Sequence, residues 1–283
     1  MLLMTSPCYR FEKIVGENPL FLNIDATYVI HLEGNGRLDS VKKELAEFFP
    51  SKNTFILFNK GFKKCEKPQL PGKEPRYDLV DANLTIFRDA QNKKYKNILV
   101  LEDDYFFHKE VRNHTRYVDE FIGTNQDNVF IYFLGCLPFV TIPSFSHHNR
   151  SIFSVTAHSV MYSESYRNEM LRVEQKDIED WDVFQFFFRP FNKYLYYTPL
   201  CYQLFPETDN SKLWGNQHPF LKFLADILKA IMRLMKLDVQ AEPSYSILYF
   251  ISKILVPVLI FIVIFLCCFM FKSRRLRSLL SHK

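Results

Sequence analysis

Three consecutive carboxylates, Glu102, Asp103 and Asp104, directly follow the apolar run Ile98–Leu101. Such a run predicts a strand buried on both faces, as in a parallel sheet covered by helices. Open α/β sheets bind ligands outside the carboxyl ends of their strands, which is where these acids fall. Because like charges repel, a hard cation such as Mn2+ or Mg2+ would relieve the crowding and could hold a diphosphate. The motif predicts a metal site at a sheet edge, with a solvated acidic turn as the alternative.

A second pair of carboxylates, Asp180 and Asp182, flanks Trp181. This arrangement could present a base for a hydroxyl proton beside an aromatic platform for a sugar ring. Side chains two positions apart on a helix point in different directions, so one acid is expected to face a pocket, and Asp182 is favoured. The alternative is that both acids are exposed at the start of a helix, where they complement its dipole.

Three further candidates lie in the second half of the chain. His158 follows a run of small and apolar residues and is either a site residue or a core histidine. Residues 206–211 follow an apolar strand and predict either a pocket rim or a plain surface turn, of which the turn is favoured. His218 is a candidate for a late metal ligand.

The turn Leu32–Arg37 contains Gly34 and Gly36 in a G-x-G pattern but lacks the third glycine of a dinucleotide-binding fingerprint. Its glycines would let the backbone approach a nucleotide closely, and Arg37 could contact a phosphate or a base. An ordinary tight turn is the alternative.

Strand and helix patterns alternate along the soluble part of the chain. Apolar runs predict strands at Ala26–His31, Thr54–Phe58, Ile98–Leu101, Val129–Leu134, Ile152–Ala157 and Tyr194–Tyr197. Helical spacing predicts helices at Asp39–Phe49, with Asp39 as N-cap, and at Tyr77–Asn92, Glu164–Arg172 and Asp177–Phe188. This alternation predicts a doubly wound sheet of Rossmann type.

Charge and cysteine content restrict the class of protein. The 283-residue chain has a net charge of +5, and the five cations of segment Lys272–Lys283 account for this excess. The remainder is close to neutral, so we predict no nucleic-acid partner. The six cysteines show no metal-ligand spacing, which suits reduced thiols in a cytosolic compartment.

The C-terminal part predicts a membrane anchor. Residues 254–271 are eighteen consecutive uncharged residues, about 27 Å of helix, and we predict a transmembrane helix over 246–271 with Tyr245 and Tyr249 at one interface. The N-terminus carries no signal peptide, so a single-pass tail anchor with a cytosolic domain is expected. Residues 219–237 predict a basic amphipathic helix that lies on an anionic membrane or packs on the domain. The predicted divisions are a domain at 1–218, helix and linker at 219–245, the span at 246–271 and a basic tail at 272–283.

Four of these segments together resemble glycosyltransferase family 25, which includes lipopolysaccharide-modifying and procollagen galactosyltransferases. The segments are YVIHLEGNGR, DANLTIFRDAQNKKYKNILVLEDD, TAHSVMYS and DIEDWDVFQFF, in that order between Thr27 and Asn210. The resemblance implies an α/β GT-A fold, a Rossmann-like mixed sheet with helices on both faces, here followed by the C-terminal transmembrane helix.

The resemblance also implies a reaction and a set of roles. A nucleotide-sugar donor, a UDP-sugar by expectation, would lose its diphosphate with the help of Mn2+ or Mg2+. Asp104 would be the metal ligand, Asp103 would reach the ribose or the metal, and Glu102 would support the nucleoside. The acceptor would be a glycan, a protein or a lipid. Two alternatives stay open, an inactive relative that acts as a membrane-bound binding or assembly protein and a metal-dependent hydrolase.

Overall fold

The computed structural model describes residues 7–188, 192–207, 212, 214–215 and 219–281, with the backbone alone at 145, 157, 186–187, 259–260, 263 and 267–281. Its strands are β1 (Tyr9–Ile14), β2 (Ala26–Leu32), β3 (Thr54–Asn59), β4 (Asn97–Glu102), β5 (Tyr105–Phe107), β6 (Ile131–Phe145), β7 (His148–Ser163), β8 (Lys193–Tyr196) and β9 (Cys201–Gln203). Its helices are α1 (Leu38–Glu47), α2 (Pro75–Asn92), α3 (Thr115–Thr124), α4 (Glu164–Met170), α5 (Trp181–Phe187), α6 (Pro219–Leu234) and α7 (Ser244–Ser281).

Seven strands form one mixed sheet in the order β1-β3-β2-β4-β7-β6-β8, and β5 and β9 form a separate ribbon. Strand β2 runs parallel to both β3 and β4. Alternate residues of these strands enter two different hydrophobic clusters, for example Tyr28 and Val100 in one and Val29 and Leu99 in the other. Helices α2 and α5 pack in the first cluster, and α1 and α3 pack in the second. The sheet is therefore covered on both faces, and the mixed α/β class is confirmed.

The chain reverses its direction of winding at β2. From β2 it passes through α1 to β3 on one side, and from β3 it passes through α2 to β4 on the other side. The carboxyl ends of β2 and β4 therefore meet at a topological switch point, which is the usual ligand position in open α/β sheets. The turn Leu32–Arg37 and the acids Glu102–Asp104 are placed there by connectivity alone.

Three of the four predicted helix starts differ from the structure, by one residue for α1, two for α2 and four for α5. Helix α1 begins at Leu38 with Arg37 as its N-cap residue, and Asp39 lies in the first turn. Helix α5 begins at Trp181 and not at Asp177, because the Asp180 carboxylate caps it by accepting a hydrogen bond from Val183 N–H at 3.0 Å.

Strands β6 and β7 form one long hairpin of 15 and 16 residues, where the sequence predicted two short strands with a loop between them. Two prolines, Pro138 and Pro143, lie inside β6, and the pairing with β7 shifts register next to each of them. A β-bulge accommodates a residue that cannot donate a backbone hydrogen bond. The prediction was wrong because it treated these prolines as the end of the strand.

Cys8 and Cys65 form a disulfide, with their Cα atoms 5.6 Å apart. The prediction that all cysteines are reduced is wrong for this pair. The antiparallel pairing of β1 with β3 brings Cys8 beside the loop that follows β3, a proximity that a sequence separation of 57 residues does not reveal. The disulfide removes one of the two arguments for a cytosolic domain, and that location stays a prediction.

Both C-terminal helices bury residues against the domain. Tyr245 is fully buried and exchanges hydrogen bonds with the backbone of Gln203, and Tyr249 is buried beside Cys136. These two tyrosines do not lie at a membrane interface as predicted. Helix α6 buries Met232, whereas Phe220 and Phe223 are exposed. Its position on an anionic membrane stays a prediction.

The predicted transmembrane segment 246–271 lies within α7. In the part of the chain that the structure describes, no helix combines the length and the apolar character needed to cross a membrane. The side chains at 259, 260, 263 and 267–271 lie outside that part.

Candidate active site

A cavity of about 810 Å3 opens at the switch point of the sheet. Its walls are the turn after β2, the loop Lys60–Lys64 after β3, the acids Glu102–Asp104 after β4, and the start of α5. Gln203 at the end of β9 and Lys229 and Arg233 of α6 also contribute to the wall. This volume lies within the range of about 300–1,000 Å3 that is typical of ligand pockets.

Asp103 is buried, and it organises the turn after β2. Its Oδ2 accepts hydrogen bonds from His31 Nδ1 (3.0 Å), Leu32 N–H (3.0 Å) and Asn35 Nδ2 (2.6 Å). Its Oδ1 accepts a hydrogen bond from Arg37 Nη1 at 2.9 Å. Burial alone would raise the pKa of Asp103, but the bonds from His31, Arg37 and Asn35 outweigh it and lower that pKa. Asp103 is therefore an anionic anchor for the turn.

Arg37 connects the turn after β2 to the acids at the end of β4. Its Nη1 donates to both Asp103 Oδ1 and Asp104 Oδ2, each at 2.9 Å. The other oxygen of Asp104 accepts a hydrogen bond from Gln203 Nε2 at 2.9 Å. The ribbon of β5 and β9 places this amide, because Tyr105 pairs with Gln203.

These residues do not fit the predicted metal site at Asp103 and Asp104. Asp103 already accepts four hydrogen bonds, and a carboxylate offers about four lone-pair positions. Arg37 lies between the two carboxylates, in the bridging position that a divalent cation would take. Among the residues that the structure describes, no group of three or more His, Cys, Asp or Glu side chains is arranged to hold a metal ion.

Glu102 is a partly buried acid on the cavity wall. Burial raises its pKa well above the ordinary value, and the nearby carboxylates of Asp104, Asp182 and Asp103 raise it further, while Arg37 lowers it. The Asp104 pKa is also raised, by burial first and with Arg37 opposing. Burial and the neighbouring carboxylates thus favour the protonated form of Glu102, so it suits proton transfer.

The raised pKa of Glu102 makes stability depend on pH. A carboxyl group with a raised pKa stabilises the fold fully below its ordinary pKa, and this contribution is lost as the pH rises through the raised value. We expect Glu102→Gln, which cannot ionise, to match the parent near pH 4. At pH 8 its Tm should be higher by roughly 2–4 °C, the shift that about 1 kcal/mol gives in a domain of this size.

Thermal unfolding followed by circular dichroism between these two pH values tests this expectation. Glu120→Gln, on the exposed surface of α3, is the matched control and should leave the Tm unchanged at both ends. A Glu102→Gln protein whose Tm relative to the parent does not increase as the pH rises would contradict the assignment.

The structure brings together the predicted acids of α5 and those of β4. Asp180 and Asp182 both line the cavity, and Asp182 is close enough to Glu102 to raise its pKa. Asp180 is used as the helix cap, which favours Asp182 as the acid that faces a ligand. Trp181 is only 2% exposed, and its indole N–H donates to Tyr162 OH at 3.1 Å. It lines the cavity while most of its ring packs in the core, and its role as an aromatic platform for a sugar stays a prediction.

His158 lies in β7, outside this cavity, and it is fully buried. Burial lowers its pKa to about 4, so the ring is neutral. It is a core histidine, the second of the two predicted readings. Pro206 and Glu207 of the predicted rim segment line the cavity, whereas residues 208–211 and the candidate metal ligand His218 lie outside the described residues.

Gln203 and two other features of the wall were not predicted from the sequence. The first is the lysine loop, in which Lys60, Lys63 and Lys64 follow β3, and Lys64 Nζ lies 2.9 Å from the position of a Cβ on Gly34. The second is Thr156, which has φ +65° and a buried Oγ1 without a hydrogen-bond partner. A β-branched residue in this conformation is a genuine outlier. A run of lysines after a strand was the one available signal for the first, and no sequence signal marked the second.

No family model matches the chain, and no curated protein sequence matches it. One similar solved structure is a glycosyltransferase involved in the glycosylation of the major capsid of PBCV-1, with TM-score 0.34, 11% identity and coverage of 62% of this chain and 83% of that chain. Another is A197 from STIV, with TM-score 0.39, 10% identity and coverage of 64% and 86%. A third is mannose-1-phosphate geranyltransferase from Thermus thermophilus, with TM-score 0.36, 8% identity and coverage of 62% and 74%.

Similarities at this level carry no argument about activity. The resemblance to glycosyltransferase family 25 therefore stays a prediction.

Proposed function

We propose that this protein is a transferase that binds a nucleotide sugar at the switch point of its sheet and moves the glycosyl group to a hydroxyl acceptor. The observation that carries the proposal is the cavity itself. A glycine turn, a lysine loop and two groups of acids from four separate segments line one space of about 810 Å3. Cations suit the diphosphate of the donor, and acids suit the proton of the acceptor.

The turn and the lysine loop form the donor side. Gly34 and Gly36 have φ values of +86° and +79°, so the turn requires residues that tolerate the left-handed region, and it presents bare backbone to the cavity. Lys63 and Lys64 are exposed on the adjacent loop. Backbone N–H groups and ammonium groups are the ordinary ligands of phosphate oxygens.

Glu102 and Asp182 form the acceptor side. In the transfer, an acceptor oxygen bonds to the anomeric carbon as the bond from that carbon to the diphosphate oxygen breaks. The acceptor proton passes to a carboxylate, and the nucleoside diphosphate leaves as an anion. Asp182 is the base we propose, because Asp180 is committed to capping α5. The identity of the acceptor stays a prediction, namely a glycan, a protein or a lipid.

The test is incubation of the full-length protein with a panel of nucleotide sugars, UDP-hexoses first, followed by mass spectrometry. We expect consumption of one donor and release of its nucleoside diphosphate. Asp182→Asn should lower the rate by about 10²–10⁴-fold, the usual contribution of a general base. Asp127→Asn, an exposed acid in the turn after α3, should leave the rate unchanged.

The outcomes separate the remaining functions. A nucleoside diphosphate that binds without any donor being consumed would favour the binding or assembly role. Failure of every nucleotide and nucleotide sugar to bind would overturn the proposal.

A further inference from the structure

The predicted metal position is already held by a cation that belongs to the chain. Arg37 Nη1 bridges Asp103 and Asp104 at 2.9 Å to each. A divalent cation that bound the same two carboxylates would have to displace this guanidinium and break two charge-assisted hydrogen bonds. It would also compete with the three hydrogen bonds that His31, Leu32 and Asn35 donate to Asp103.

The Arg37 guanidinium has further N–H donors besides those that bind the two carboxylates. Arginine carries five N–H donors, and the two on Nη1 are those that face the carboxylates. No hydrogen bond from Nε or Nη2 to another residue of the described chain is present. The side chain is 35% exposed and lines the cavity. These remaining N–H groups can therefore donate to a phosphate while the bridge stays intact.

We infer that Arg37 is the resident cation of this site, and that the protein binds the diphosphate of its nucleotide sugar without a divalent metal. The inference rests on the proposed function and specifies how its donor is held. Arg37 and the lysines of the Lys60–Lys64 loop then supply the charge that neutralises the departing diphosphate.

The ion pairs with Asp103 and Asp104 also fix the position of the Arg37 charge. Asp103 and Asp104 hold the guanidinium from one side, and α1 begins at the next residue, Leu38. The pKa of Arg37 is raised, because Asp104 and Asp103 outweigh the effect of burial, which alone would lower it. The charge is therefore present throughout the accessible pH range.

The experiment is isothermal titration of the full-length protein with UDP, once in excess EDTA and once with Mn2+ after removal of the chelator. We expect UDP to bind in EDTA, with a Kd that Mn2+ changes by no more than about twofold. Arg37→Gln should weaken binding roughly tenfold or more, the value of one lost charge-assisted hydrogen bond. Arg116→Gln, an exposed arginine on α3, should bind like the parent.

Arg37→Lys keeps the charge but not the fork of donors, and it distinguishes the two contributions if the glutamine variant unfolds. It should bind UDP more weakly than the parent and more tightly than Arg37→Gln. Binding that requires Mn2+ would overturn this inference and leave the proposed function standing. Binding in EDTA that neither Arg37 variant weakens would also overturn it. Absence of UDP binding under both conditions would count against the proposed function as well.

Discussion

Asp103→Ala is expected to destabilise the protein by about 3–5 kcal/mol, which is the range for removing one partner of a buried ion pair. The Asp103 carboxylate is 7% exposed and accepts four hydrogen bonds, one of them from the Arg37 guanidinium. The substitution leaves buried His31 and the turn donors without an acceptor. Urea unfolding at neutral pH measures the loss, and UDP binding should be lost in the same variant, because the turn is no longer held.

A second variant and the pH dependence test whether the loss of stability comes from the Asp103 carboxylate. Asp104→Ala should cost less, because Asp104 is 20% exposed and accepts hydrogen bonds from two side chains among the residues that the structure describes. The difference between parent and Asp103→Ala should shrink in acid, since a carboxylate with a lowered pKa contributes stability above its ordinary pKa and loses it as the pH falls through the lowered value. A loss below about 0.5 kcal/mol, the usual range for exposed positions, would show that Asp103 does not anchor the turn.

Lys67→Met is expected to produce a loss of similar size, again about 3–5 kcal/mol. The Lys67 side chain is fully buried, and its Nζ donates to Tyr9 OH at 2.7 Å, to Asn59 Oδ1 at 2.7 Å and to Asp78 Oδ1. All three N–H donors of the ammonium are satisfied. Methionine preserves most of the volume but leaves the Asp78 carboxylate buried without its cation. Urea unfolding again measures the change.

A double variant tests the cause of this loss. Lys67→Met combined with Asp78→Asn removes both charges, and the new amide can still accept the hydrogen bond from Asn59 Nδ2. It should therefore be more stable than Lys67→Met alone. Lys60→Met, an exposed lysine of the neighbouring loop, should change stability by no more than about 0.5 kcal/mol. A double variant as unstable as the sum of its parts would show that the buried pair is not the source.

The sheet and the position of the cavity could be predicted from local patterns. The apolar runs of β2, β3 and β4 are long, and the order of strands and helices alone brings the Arg37 turn to the acids Glu102–Asp104. The role of each acid could not be predicted from these local patterns. Asp103 looks like a ligand in the sequence, but His31, Leu32 and Asn35 reach it only after β2 and β4 pair.

Other features that the sequence did not predict also depend on contacts between residues distant along the chain. The Cys8–Cys65 disulfide depends on β1 lying beside β3. The role of Trp181 depends on the hydrogen bond to Tyr162 in β7. Residue type and spacing locate the candidates, whereas the partners that decide between site and core come from elements far away in sequence.

The most direct measurement of the central claim is a crystal structure of the protein with UDP bound. We predict UDP in the cavity at the carboxyl ends of β2 and β4, with its diphosphate between Arg37 and the Lys60–Lys64 loop and the Arg37 bridge to Asp103 and Asp104 intact. UDP bound at another surface, with this cavity empty at saturating ligand, would contradict the account.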